Sequence, residues 1–267
     1  MHPIERLRYV ARSTGADHAS LVRETAGSLG GFRDDPGGMV MAYRRMLARH
    51  LTSGPLWWLA SRACMASDPQ REAWAAADEL DADPTARQLL YALPEDATIC
   101  VLGWPELLAE ALVRRGDIEV LVVDAGGDGS SFVRRLERSD VEAIDVPPSG
   151  VGAAAAEAAL VVLEASMVGP EHFVAPAGSR AAAAVARHAG VPVWLVIGVG
   201  RLLPQRLWEV IAERLDREDD PWERDEEIVP LSLVDQVVGP NGLESVADAL
   251  RRCDTPVAPE LFKEGVL

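Results

Sequence analysis

In a chain of 267 residues, 48% hydrophobic content can build a sizeable core, and 25% charged residues make an ordinary globular surface. The formal net charge of -16 repels phosphate backbones and anionic lipid, which argues against nucleic-acid or membrane binding. The only lysine, Lys263, stands in the C-terminal tail, so chemistry that needs a phosphate-gripping or Schiff-base lysine has almost nothing to use.

From Ile4 to about Ala92 the pattern is helical. Apolar residues recur at spacings of three and four, as in Leu21, Ala26 and Leu29, or Met39, Met46 and Leu47. Gly30-Gly31, Asp35-Pro36, Ser53-Gly54-Pro55, Asp68-Pro69 and Asp83-Pro84 break the run into short helices, each break supplying a cap or a turn. Trp57-Trp58 reads as core packing or a subunit contact.

At Pro94 the character changes. Thr98–Leu102 (TICVL) predicts a buried strand, and a helix follows over 105–115 with proline at an early position. Strands are predicted at 118–123, 141–146, 160–163 and 191–197, and helices at 130–138, 178–189 and 204–215, with an alanine-rich helix after Pro147-Pro148-Ser149-Gly150. Apolar strands alternating with helices imply a parallel sheet covered on both faces. The fold expected is α/β: an N-terminal helical domain over 1–93, then a doubly wound, mostly parallel Rossmann-like sheet domain over 94–267. The acidic segment from Asp216 to Glu227 reads as a solvated loop.

The cysteines, Cys64, Cys100 and Cys253, are far apart and lack metal-ligand spacing, so they read as free thiols in a reducing compartment, and no metal or cofactor site is expected. The opening MHPIERLRYV lacks a signal-like apolar run, and no stretch of about twenty apolar residues occurs. A cytoplasmic protein is therefore expected. His172 and His188 stand without visible partners and read as surface residues.

In open parallel sheets, ligands collect beyond the carboxyl ends of the strands. There Gly103 follows the first strand, Asp124 to Ser130 (with Gly127 and Gly129) follows the second, and Gly178-Ser179-Arg180 opens a helix. Backbone N–H groups at helix starts favour an anion, so these residues are the candidate binding set for a phosphorylated or anionic small molecule. The loop after Asp124 lacks the dinucleotide register and no Walker lysine exists, so a nucleotide-binding or methyltransferase-like reading rests on glycine content alone.

The stretch from about Pro94 to Phe262 resembles the family uniting the α, β and δ regulatory subunits of initiation factor 2B with methylthioribose-1-phosphate isomerase and ribose-1,5-bisphosphate isomerase. Ala175-Pro-Ala-Gly-Ser179 and the run from Ala181 to Val193 follow that family's Asn-Lys-x-Gly-Thr segment and its glycine-valine-proline strand. Glu227 to Val238 with Gly242, and Pro256 to Leu261, resemble its closing strand, turn and C-terminal signature. By this resemblance the isomerases' catalytic cysteine falls on Gly103 and their aspartate on Ala165. The Asn-Lys pair falls on Ala175-Pro176, and the Glu-Ser-Arg-Pro loop on Asp124 to Gly127, without its arginine. A thiol and a carboxylate are needed there to shuttle protons in aldose–ketose isomerisation, and alanine and glycine do neither. The resemblance thus implies a non-catalytic binding protein. The alternative is a sugar-phosphate isomerase with a relocated pair, Cys100 or Asp124 with Glu164. The resemblance also implies a homodimer, to which Val234 to Val238, Leu250 and Val257 to Phe262 would contribute apolar surface.

Overall fold

The computed structural model describes residues 18–28, 32, 35–218 and 220–262. The helical pattern expected before His18, the Gly30-Gly31 break and Lys263 lie outside them. Chain contacts divide the chain into two compact units. The described residues of one lie within 18–83, 199–218 and 253–262, and those of the other within 84–198 and 220–252.

The first unit is helical. It contains α1 (His18–Ser28), α2 (Pro36–Leu47), α3 (Gly54–Met65) and α4 (Pro69–Asp81). Two of the aspartate-proline breaks start helices in the same way. The Asp35 carboxylate accepts from Gly38 N at 2.8 Å, and that of Asp68 from Arg71 N at 3.1 Å, with the following proline at the first helical position. Helix α3 is buried along most of its length, from Gly54 to Ser61, which makes it the axis of the unit. Trp57 and Trp58 are both core residues, and Trp57 Nε1 donates to the Leu51 carbonyl at 2.9 Å. Gly200 closes over Trp58 in the left-handed region at φ +73°, where an added Cβ would stand 2.9 Å from the indole.

The second unit begins with α5 (Thr85–Ala92) and continues through β1 (Thr98–Leu102), α6 (Glu106–Leu112), β2 (Glu119–Val123), α7 (Gly129–Glu137), β3 (Glu142–Val146), α8 (Val151–Glu157) and β4 (Leu160–Glu164). Then come β5 (Met167–Val168), β6 (His172–Pro176), α9 (Ser179–Ala189) and β7 (Val193–Val196). After α10 (Gln205–Glu218), which returns to the helical unit, β8 (Glu226–Pro230), β9 (Gln236–Gly239), β10 (Gly242–Glu244) and α11 (Val246–Leu250) complete it.

The main sheet has seven strands in the order β10-β9-β7-β4-β1-β2-β3, all parallel except β10. Read from the β3 edge, the parallel strands run β3-β2-β1-β4-β7-β9, so the winding reverses between β1 and β4. Alternate residues Ile99, Val101, Val120, Val122, Leu160 and Val162 form one face, in a single cluster with Leu89, Leu108, Leu112, Phe132 and Leu136 from α5, α6 and α7. At roughly 1.5–3 kcal/mol per fully buried large apolar side chain, this cluster is a main source of the unit's stability. Cys100 and Leu102 alternate with these residues and so point to the opposite face. The expected α/β fold and its strands at 98–102, 118–123, 141–146, 160–163 and 191–197 are present, with ends shifted by at most two residues.

A second sheet departs from the sequence reading. It is antiparallel, with the order β5-β6-β8. Strand β8 grows out of the acidic segment expected to be a solvated loop, and places Glu226 opposite Pro176 and Glu227 opposite Ala175. Its partner lies some fifty residues back, so no local pattern announces the pairing. The apolar residues expected at a subunit interface are mostly consumed inside the chain: Val234, Val237, Val238, Ala258 and Leu261 are all buried. Among the described residues, no helix is long and apolar enough to cross a membrane.

Candidate functional site

The switch between β1 and β4 brings together the positions that matter. After β1 the chain turns at Gly103, whose N–H donates to the Val123 carbonyl at 2.9 Å and whose φ is +61°. A Cβ on Gly103 would lie 3.7 Å from Ala125 Cβ and 3.9 Å from Pro176 Cγ. These three positions are the ones that the resemblance matched to a catalytic cysteine, an arginine-bearing loop and a substrate-holding Asn-Lys pair. They converge in space, and they carry glycine, alanine and proline.

The starts of α7 and α9, on this edge, were expected to offer their amides to an anion. In both, and in α6, some of these amides donate to a carboxylate of the chain itself. Glu164, 9% exposed at the end of β4, accepts through Oε1 from Glu106 N and Leu107 N, both at 3.2 Å, and through Oε2 from Leu108 N at 2.9 Å. Asp124 Oδ1 accepts from Gly127 N at 2.7 Å and Gly129 N at 3.1 Å. Glu227, carried in by β8, accepts from Arg180 N at 2.9 Å. A carboxylate near the positive end of a helix dipole is favourable, and each of α6, α7 and α9 has at least one first-turn amide donating to such a group. The glycine at 129 follows from this contact, because a Cβ there would come within 2.8 Å of Asp124 Cβ.

The remaining sequence candidates fall as follows. Cys100 is fully buried within β1, between Leu121 and Val161, and burial pushes its thiol up to about 12. Glu164 and Asp124 are spent on backbone amides as described. Ser130 is half-buried on α7, and the Arg180 side chain is exposed. Ser179 is completely buried, yet its hydroxyl has no hydrogen-bond partner. His172 pairs with Pro230 in the small sheet, and His188 is exposed in the last turn of α9.

A hollow of about 240 Å³ opens beside Asp124. Val123 and Ala125 from the end of β2, Pro148 and Val151 from the start of α8, and Ala177-Gly178 before α9 form its other walls. Sequence reasoning found Asp124 and Gly178 but not Pro148 or Val151, whose only local signal was a proline-rich turn. Trp104 stands on the same edge, 39% exposed, stacked on Phe132 at 5.5 Å with the Arg135 guanidinium 5.7 Å from its ring centre. A larger hollow of about 470 Å³ lies at the opposite, amino edge. It is lined by carboxylates, of which Asp117 is held by Arg115 and Glu119 by Thr98. Among the described residues, no cluster of three or more His, Cys, Asp and Glu could hold a metal ion.

Sheet order, switch point and appended helices define an α/β protein of the doubly wound class with a separate helical unit. Comparison with solved structures narrows this to one fold, that of the initiation factor 2B subunits. The chain superimposes on translation initiation factor 2B of Pyrococcus horikoshii with a TM-score of 0.75 at 13% identity, covering 93% of this chain and 98% of that one. For the β subunit of initiation factor 2B from Chaetomium thermophilum the TM-score is 0.74 at 14% identity, over 97% and 92%. For that organism's tetrameric β–δ complex it is 0.72 at 13% identity, over 93% and 92%. No protein-family model matches the sequence, and no curated protein matches it.

Proposed function

We propose that this protein is a non-catalytic small-molecule binder on the initiation factor 2B fold. The observation that carries this reading is that a Cβ on Gly103 would stand within 4 Å of both Ala125 and Pro176 at the switch point, with no thiol, acid or base among the three. Aldose–ketose isomerisation requires a group that takes a proton from one carbon and returns one to its neighbour. The relocated pair is poorly suited to that task. The Cys100 thiol stays protonated at neutral pH, and Glu164 is held by three backbone amides. Purified protein incubated with ribose 1,5-bisphosphate or methylthioribose 1-phosphate is expected to show no turnover. Turnover abolished by Cys100→Ala would overturn the reading.

The assembly is proposed to be a homodimer, as the oligomeric β–δ complex of the same fold suggests by analogy. Of the residues first considered for its interface, Leu250, Val257 and Phe262 remain half-buried and able to contribute. Tyr91 on α5 and Leu243 on β10, 78% and 41% exposed on elements that pack together, offer further apolar surface. Light scattering should give twice the chain mass of 28.7 kDa. A clean monomer at micromolar concentration removes the dimer.

A further inference from the structure

We infer that Asn241-Gly242 is a site of spontaneous deamidation, at which the turn between β9 and β10 converts with time to aspartate and isoaspartate. The inference does not depend on what the protein binds. It starts from residue usage: Asn241 is the only asparagine in the chain of 267 residues, and a glycine follows it. Pro240-Asn241 joins Gly239 of β9 to Gly242 of β10, with Gly242 paired to Gly239 and its φ at +92°. Asn241 is exposed, and its side chain makes no hydrogen bond among the described residues. A glycine carries no Cβ, so its amide nitrogen can approach the preceding side-chain carbonyl without hindrance.

In the reaction the Gly242 nitrogen attacks Cγ of Asn241. A C–N bond forms, the Cγ–Nδ2 bond breaks, and ammonia leaves with the proton of the Gly242 N–H. Water then opens the cyclic imide. Opening at the side-chain carbonyl gives aspartate, and opening at the main-chain carbonyl gives isoaspartate, whose backbone is one carbon longer. The place in the fold makes the nitrogen available. Strand β10 has three residues, lies at the edge of the main sheet and begins at Gly242, so freeing that residue opens the end of a ladder and leaves the core closed. Asp128-Gly129 is the contrasting step: it too has an unhindered glycine, but Gly129 N is held by Asp124 at 3.1 Å. Because turn length fixes register, the extra carbon of isoaspartate displaces the pairing of Gly242 with Gly239 and of Leu243 with Val238. Either product adds a negative charge to a chain already at -16.

The test holds the full chain, below its melting temperature, in alkaline and in mildly acidic buffer, beside a free peptide of residues 238–243. Intact mass, released ammonia and peptide maps are followed over time. The expected result is a gain of about 1 Da with release of ammonia. It should be faster in alkali, where the attacking amide loses its proton more readily. It should be no more than about a hundredfold slower than in the peptide, since only a local opening separates the two. The gain should map to the fragment carrying Asn241, as a mixture of aspartate and isoaspartate. Asn241→Gln must close a larger ring, so it should slow the gain at least about tenfold. As an exposed substitution it should keep its melting temperature within a few degrees. The isoaspartate-bearing fraction should melt below Asn241→Asp, which carries the same charge on a normal backbone. A gain more than about a hundredfold slower than in the peptide, a gain that maps to a glutamine, or an undiminished gain in Asn241→Gln overturns the site. Equal melting of the isoaspartate fraction and Asn241→Asp overturns the displaced pairing.

Discussion

Glu164→Ala should lower the unfolding free energy by about 2–4 kcal/mol, a larger loss than any exposed-carboxylate substitution, because three amides at the start of α6 lose a charged acceptor together. The contact joins the end of β4 to the helix that follows β1, so it clamps the two strands at which the winding reverses. Leu108, whose N–H makes the shortest of the three bonds, is completely buried, and water cannot replace the lost oxygen there without entering the core. Glu164→Gln keeps an oxygen but not the charge, and should cost roughly half as much, since hydrogen bonds to charged groups are about twice as strong as neutral ones. Denaturant melts of the two variants check the ordering. Equal stability of wild type and Glu164→Ala would remove the clamp.

Arg115→Ala is expected to cost a similar amount, about 2–4 kcal/mol, by leaving backbone carbonyls without their donor. The guanidinium, 11% exposed, donates to the carbonyls of Leu90, Leu93 and Pro94 and makes a two-pronged contact with Asp117 at 2.6 Å on each side. It thereby ties the end of α5, the turn into β1 and the turn into β2 into one knot. A lysine cannot reproduce this fork, so Arg115→Lys should recover little. The neighbouring Arg114, half-exposed in a surface pair with Glu110, is the control, and its alanine variant should change stability by less than about 1 kcal/mol.

The same pair predicts a pH dependence. Arg115 holds the Asp117 carboxyl below its usual range. A carboxyl lowered in the folded state contributes stability fully above its unfolded value, near 4, and loses it as pH falls through the lower folded value. The stability gap between wild type and Arg115→Ala should therefore narrow below about pH 4.

What the sequence determined by itself is the local part of the molecule. Apolar runs such as TICVL can only be strands buried on both faces, and Asp35-Pro36 and Asp68-Pro69 carry within two residues both the acceptor and the fixed φ that start a helix. The alternation of strands and helices from Thr98 to Val196 was legible for the same reason, since it is a property of neighbours along the chain, and the absence of a thiol at Gly103 was legible through the family resemblance. The tertiary structure decided everything that depends on distant pairing. Strand β8 is a strand because β6 offers it an edge, and only that pairing brings Glu227 to the start of α9. Asp124 and Glu164 read in one dimension as candidate catalytic groups and Glu227 as part of a solvated loop. In three, each accepts backbone N–H groups at or beside a helix start, because a carboxylate goes to whichever unsatisfied amides the fold places within reach.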